Sequence, residues 1–262
     1  MDVGFLSSLF VLGLFGGFLS GLLGIGGGII MVPLLLYVPP ALGVGVLGMK
    51  TVAGITSVQS FFGAISGAFG HKRHKRINYS LALYMGGSMA VASLIGSVLS
   101  IYISANFMLM VFAGMAIAAA AMMFIPKPEA EQEDDVTNLR FNKPLAIVIG
   151  LTIGTLSGII GQGGAFLFIP AMMFILHIPT RIAIGTALVI GIASSLAVLI
   201  GRIGTSQIPY LMSMVLVAGV LIGAQLGSEV SQKTPKKVLR RILAVLITAT
   251  ALKMWYEIVV FA

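Results

Sequence analysis

The chain has 262 residues, of which 58% are hydrophobic and only 9% are charged. Soluble domains carry about 25% charged residues, so the composition excludes a soluble enzyme, a disordered chain and a secreted disulfide scaffold. The net charge is +8, and the absence of cysteine excludes disulfides and cysteine-bound metals. The sequence therefore predicts a protein that crosses a membrane several times, and its 33 glycines call for an explanation.

Eight apolar segments approach the length of about 20 residues that a bilayer crossing requires. The first has no basic segment before it, so we expect a retained span and not a signal peptide. A polar stretch at 126–143 holds five of the eight acidic residues and predicts a cytoplasmic linker between a first transmembrane repeat, 1–125, and a second, 144–262. The predicted spans are 3–23, 44–69, 79–101, 104–125, 144–160, 182–201, 210–228 and 239–261.

The two halves of the chain share a glycine-rich motif. GFLSGLLGIGGGIIMVPL at 17–34 matches GTLSGIIGQGGAFLFIPA at 154–171, and the identical positions recur 137 residues apart. Each motif is followed by three further spans. An internal repeat of this kind is typical of transporters.

The basic residues indicate how the two repeats are oriented, because cytoplasmic loops are enriched in lysine and arginine. Eight simple spans would place nine basic residues inside and seven outside. If each glycine-rich segment is instead a hairpin, with short returning helices at 29–37 and 166–176, the division becomes 13 against 3. We therefore predict inverted halves with both termini outside, although 29–37 is too short to cross and must end part-way.

The glycine-rich breaks are the predicted substrate site. A backbone turn at membrane depth is tolerated only inside protein or beside a water-filled cavity, so we expect the breaks at 24–28 and 161–165 to meet near the bilayer centre. The first N–H groups of the helix after each break can bind an anion without lysine or arginine. The predicted binding residues here are Gly24, Gly26, Gly27, Gly28, Gly161, Gln162, Gly163, Gly164 and Ala165.

Polar residues within the second span of each half are further candidates. Thr51 and Gln59 in the first half, with Thr186 and Ser194 in the second, could bind substrate. Ser57, Ser60 and Ser195 lie in the same segments, and any of these side chains could instead bind neighbouring helices.

Six other glycines predict close helix packing. Spacing of four residues places small side chains on one helix face, where another backbone can approach. These glycines are Gly13, Gly17, Gly21, Gly150, Gly154 and Gly158.

The remaining charged residues predict no catalytic, metal or cofactor site. Outside the linker only Asp2, Glu229 and Glu257 are acidic, so a carboxylate proton pathway through the membrane is not expected. Ser20 and Ser157 have no histidine in the middle of a span that could act as a base, so an enzyme is not expected either. Lys50 could attract anions at the outer mouth of a pathway, but we interpret Lys50 and Arg202 as snorkelling anchors at the membrane surface.

These motifs resemble the TauE/SafE family of membrane permeases, the sulfite exporter family. The resemblance rests on GxxxGxxGxGGG at 17–28, GxxxGxxGQGGA at 154–165, HKRHKRIN at 71–78 and IGTAL at 184–188. It implies transport of small sulfur-containing anions such as sulfite or organosulfonates. The chain departs from the family pattern at Lys50 and at Ala165, which stands in place of a third glycine.

The sequence thus predicts an all-α permease of a bacterial or archaeal inner membrane, built from two inverted repeats and working by alternating access. Its expected partners are a small anion and the bilayer. A homodimer is compatible with the sequence, while no nucleic acid, metal or cofactor is expected. A passive anion channel and an uptake permease for another small organic anion remain alternatives; saturable flux with counterflow would indicate a carrier.

Accessible tags at the two termini test the predicted orientation. In intact cells, an epitope placed at either terminus should react with a membrane-impermeant antibody, because the hairpin arrangement leaves both termini outside. A tag in the linker at 126–143 serves as the inside control. An N-terminal tag that reacts only after permeabilisation would contradict the arrangement.

Overall fold

The computed structural model describes residues 3–23, 28–70, 77–124, 139, 141–205 and 207–261. Gly24, Gly26 and Gly27, the basic loop at 71–76 and most of the predicted linker lie outside these residues. The described part of the chain is all-helical, as predicted, and forms ten helices. They are α1 (Val3–Leu23), α2 (Gly28–Ala41), α3 (Met49–Gly70), α4 (Tyr79–Leu99), α5 (Ala105–Phe124), α6 (Lys143–Ile160), α7 (Ala165–Phe174), α8 (Thr180–Ile203), α9 (Tyr210–Lys233) and α10 (Lys236–Phe261).

Six of these helices, namely α1, α4, α5, α6, α8 and α9, are long and apolar enough to cross a membrane. The helices after the two breaks are short, as predicted. With 14 residues in α2 and 10 in α7, they extend about 21 Å and 15 Å, against a hydrocarbon core of about 30 Å. One turn of α4, at Ala82–Gly86, is π-helical.

The chain folds back after the first break. Gly16 of α1 lies against the side chain of Met31 in α2, although the break separates them. Farther along, Gly45 lies against the ring of Phe5, near the start of α1. Because a helix that continued in the same direction could not make either contact, α1 and α2 form a hairpin that returns toward its starting end.

Glycines of α1 hold this hairpin against α9. Gly17 faces the backbone of Val220, so closely that an added Cβ would lie 2.6 Å from the Val220 carbonyl oxygen. Gly13 and Gly21 face the backbone in the same way, so the predicted packing role of these glycines is confirmed. The contacts advance together along both helices, which therefore run parallel; the pairs are Gly13–Leu216, Gly17–Val220 and Gly21–Ala224.

The second half makes the matching contact with the first. Gly150, Gly154 and Gly158 of α6 face α4, and an added Cβ at Gly154 would lie 2.5 Å from the Met89 carbonyl oxygen. The predicted packing role is therefore confirmed here too, and α6 runs parallel to α4. Helix α1 thus packs on the fourth helix of the second half and α6 on the fourth helix of the first. The inverted orientation of the two halves stays a prediction from the charges.

The polar rows of α3 and α8 face the interior of the bundle, where these two helices contact each other. In α3, Thr56, Ser57, Gln59 and Ser60 are buried; in α8, Thr186, Ser194 and Ser195 are buried. Polar side chains on these two helices are therefore available to the breaks and not to the surrounding lipid.

Replacing Gly17 by alanine should weaken the α1–α9 contact. The new methyl group would meet Val220 backbone atoms at 2.6 and 2.7 Å, and forced overpacking of this kind costs about 1–3 kcal/mol. We expect a lower midpoint in thermal unfolding of the purified protein in detergent. The control is Gly114→Ala, where nothing lies within 4 Å of the added Cβ, and an unchanged midpoint for Gly17→Ala would contradict the assigned role.

Candidate functional site

Two glycines with positive φ shape the second break. Gly161 ends α6 with a φ of 84°, and its N–H donates to the carbonyls of Ser157 and Gly158. Gly164 precedes α7 with a φ of 66°. Side chains are disfavoured in this left-handed region, so the reversal at the break depends on glycine at both positions.

The carbonyl groups of the break are bound by side chains from the two central helices. The Thr56 hydroxyl of α3 lies 3.2 Å from the Gly161 carbonyl and 2.9 Å from the Val52 carbonyl of its own helix, so its one proton is shared between them. Ser194 of α8 donates its hydroxyl to the Gly163 carbonyl at 3.1 Å. Both donors are fully buried, so these oxygens are satisfied without water.

Neighbouring carbonyls are satisfied as well. The Gly164 carbonyl accepts from the N–H groups of Leu167 and Phe168 at 3.0 and 3.2 Å, which starts α7. On the other side of the break, Arg202 donates through Nη2 to the Ile159 carbonyl at 2.7 Å. The carbonyls of Ile159, Gly161, Gly163 and Gly164 therefore all have donors within the protein.

Donor groups remain at the start of α7. The N–H groups of Ala165 and Phe166 precede the first hydrogen bond of the helix, where the helix dipole is positive. The hydroxyl of Ser157 lies against Gly164. It is buried and, within the described structure, has no hydrogen-bond partner. This end of the break can therefore donate to a ligand.

Gln162 connects the second break to the first. Its side chain is 1% exposed, and its Nε2 donates to the Gly28 carbonyl at 2.9 Å. Gly28 is the last glycine of the first break and the first residue of α2. The structure thus brings the described part of both predicted breaks together, and it leaves Oε1 of Gln162 without a partner among the described residues.

The structure does not bring the two predicted threonines to the break. Thr186 accepts a hydrogen bond from the backbone N–H of Asn78 at 3.1 Å, at the start of α4. It lies eight residues before Ser194, or about 12 Å along α8. Thr51 is half-buried in the first turn of α3, at the same separation from Gln59. Both threonines lie near helix ends, whereas Gln59 and Ser194 lie deeper in the bundle.

The expected surface position of Arg202 is wrong. Its side chain has no exposed area, because the guanidinium turns inward and donates to the last carbonyls of α6 and to Gln207. Lys50 is half-buried and donates to the Ile101 carbonyl at 3.2 Å. Lys50 is thus held at the end of α4, as an anchor would be.

The sequence pattern did not single out Thr56, and Ser157 was not among the predicted binding residues. Thr56 belongs to the same polar row of α3 as Ser57 and Gln59, and that row was the available signal. Ser157 stands four residues before Gly161, so one helical turn places it beside the break.

Comparison with known proteins gives consistent results. A probable membrane transporter protein of Bacillus subtilis, YdhB, is 30% identical over 88% of this chain and 91% of its own length. YunE, another probable membrane transporter protein of that species, is 24% identical over 95% and 97%. A probable membrane transporter protein of the archaeon Methanocaldococcus jannaschii is 26% identical over 90% of each chain.

No solved structure matches the chain. The pattern of the family described as sulfite exporter TauE/SafE matches residues 9–254, nearly the whole sequence. With its membrane-spanning helices and transporter relatives, the protein is a multi-pass membrane protein of a transporter family. The chain belongs to the sulfite exporter TauE/SafE family.

Proposed function

We propose that the protein exports small sulfur-containing anions, such as sulfite or organosulfonates, and binds them at the start of α7. One observation carries this proposal: the carbonyls of Ile159, Gly161, Gly163 and Gly164 all accept hydrogen bonds inside the protein. Because these four carbonyls are engaged while the N–H groups at the start of α7 and the Ser157 hydroxyl remain, the break favours an anion over a cation, and the unpaired Oε1 of Gln162 suits a protonated anion.

The donors at the break would act together on the anion. The N–H groups of Ala165 and Phe166 point from the positive end of the α7 dipole, and the Ser157 hydroxyl adds a third donor. The site lies among buried apolar side chains, where hydrogen bonds to a charged ligand are stronger than in water. Glu229, the one acidic residue with a described side chain, is exposed near the end of α9 and does not oppose the anion.

Gln162 would add selectivity for a singly charged, protonated form. Its Oε1 is a buried acceptor without a partner among the described residues. A hydroxyl proton on the ligand would satisfy it. Sulfite carries such a proton in part near neutral pH, whereas sulfate does not, so Gln162 favours sulfite over sulfate.

Transport would follow from the position of the site within two hairpins. Gln162 reaches the first break through Gly28, so the anion would lie between short helices that do not span the bilayer. Movement of the hairpins relative to α3 and α8 would open the site to one side and then the other, as in other transporters with inverted repeats. The direction of export is inferred from the family.

Gly164→Leu should abolish transport while leaving membrane insertion intact. The leucine Cβ would enter the space held by the Ser157 hydroxyl, and the positive φ would add strain. The measurement is flux of labelled sulfite, or of a taurine-like sulfonate, into vesicles of stated protein content. The matched control is Gly191→Ala on α8, where the nearest atom is 3.9 Å from the added Cβ. Undiminished flux in Gly164→Leu would remove the binding role.

Gln162→Glu should lower flux by about 100-fold or more, because a carboxylate beside the ligand repels an anion. The two side chains have nearly the same shape, but glutamate loses the Nε2 bond to the Gly28 carbonyl, so an unchanged midpoint in thermal unfolding of the variant must accompany the loss of flux. The control is Asn106→Asp, the same amide-to-acid change at an exposed position in the first turn of α5. Equal losses in both variants, or none in either, would contradict the placement of the anion at Gln162.

A further inference from the structure

Arg202 is a buried charge without a charged partner. Its guanidinium donates to three neutral acceptors, through Nη1 to Gln207 Oε1 at 2.6 Å and through Nη2 to the Ile159 and Gly158 carbonyls at 2.7 and 3.3 Å. Its Nε is buried and has no acceptor in the described part of the chain. A buried cation is costly unless a negative group compensates it.

The protein's own acidic residues do not supply that group in the described structure. Glu229 lies 19 residues beyond Tyr210, where α9 begins, or about 28 Å along the helix. Arg202 lies at the opposite end, joined through Gln207 to the segment before Tyr210. The C-terminal carbonyls of α6 offset part of the charge, and no described carboxylate supplies the rest.

The position of Arg202 connects the break with one end of the bundle. Nη2 contacts carbonyls two and three residues before Gly161, while Nη1 contacts the α8–α9 loop at Gln207. Ser100, at the end of α4, donates to the same Gln207 oxygen at 3.4 Å. A ligand leaving the break toward this loop would meet the guanidinium next.

The first half lacks an equivalent cation. Thr51 and Gln59 correspond to Thr186 and Ser194 at a spacing of 135 residues, and the same spacing places Gly67 opposite Arg202. The charge therefore belongs to one half only, whereas the breaks belong to both. A cationic residue present in one half only is expected where it binds the anion on one side of the membrane and not on the other.

We propose that Arg202 anchors a second anion-binding position, between the second break and the α8–α9 loop. In the present conformation Gln207 occupies the guanidinium; when the loop moves, a small oxyanion takes the place of Gln207 on Nη1 and gains the unused Nε–H. Nη2 continues to hold the end of α6. This inference rests on the proposed transport of anions and adds a second binding step to it.

Equilibrium binding of ³⁵S-labelled sulfite to purified protein in lipid nanodiscs tests the proposal. The wild-type protein should bind two anions per chain, and Arg202→Gln and Gly164→Leu should each bind one. Arg202→Lys should bind two, with weaker affinity at one of them, because lysine keeps the charge but presents it as a single point.

Gln207→Ala separates anion binding from a purely structural role. It leaves the guanidinium and its bonds to α6 in place but removes the competing neutral acceptor. We expect the affinity at one of the two positions to rise about fivefold, because one ordinary hydrogen bond contributes about that factor. A purely structural arginine predicts no gain, and unchanged affinities in Gln207→Ala would overturn the proposal even if Arg202→Gln fails to fold.

The pattern of losses distinguishes the two proposals. If the wild-type protein binds only one anion, and that binding is lost in Gly164→Leu but kept in Arg202→Gln, the second position is overturned and the proposed function stands. If the one anion bound by the wild-type protein is lost in Arg202→Gln but kept in Gly164→Leu, the site at the break is overturned and the binding position at Arg202 is supported. Wild-type protein that binds no labelled sulfite would overturn both.

Discussion

The constraint on which the rest of the structure depends is that a backbone at membrane depth must find its hydrogen bonds inside the protein. At 161–164 the chain leaves helical geometry, and its carbonyls need donors from elsewhere. Thr56 and Ser194 supply them from two other helices, and Arg202 donates to Ile159 in the last turn of α6. One member of each buried polar row, Thr56 in α3 and Ser194 in α8, meets this requirement.

The same requirement determines which hydrogen-bonding groups of the break remain free for a ligand. Once the carbonyl oxygens are engaged, the unused groups at the start of α7 are mainly donors, and their field is positive without a cation in contact with the ligand. Direct contact with an ammonium or guanidinium holds an anion more strongly, and in our proposals such contact occurs only at the second position, on Arg202. Helix ends and a hydroxyl offer a weaker attraction, which suits a protein that must release what it binds.

Much of the fold could be predicted because its signals are local. The spans, the short returning helices and the glycine faces follow from runs and spacings within about 20 residues. The contacts of the site could not, since Thr56 lies 105 residues from Gly161 and Arg202 lies 43 from Ile159. Arg202 stands one residue beyond the predicted end of its span, where an inward-turning arginine and a surface anchor look the same in sequence.

The parallel contacts of α1 with α9 and of α6 with α4 have a consequence for how this molecule could have arisen and how it can be divided. A single repeat on its own would expose a row of bare glycine backbone and lack the helix that covers it. The ancestral unit therefore had to work as a pair of intertwined copies. If the chain is cut between its halves, neither piece can complete its helix packing alone, and function requires that the two pieces associate.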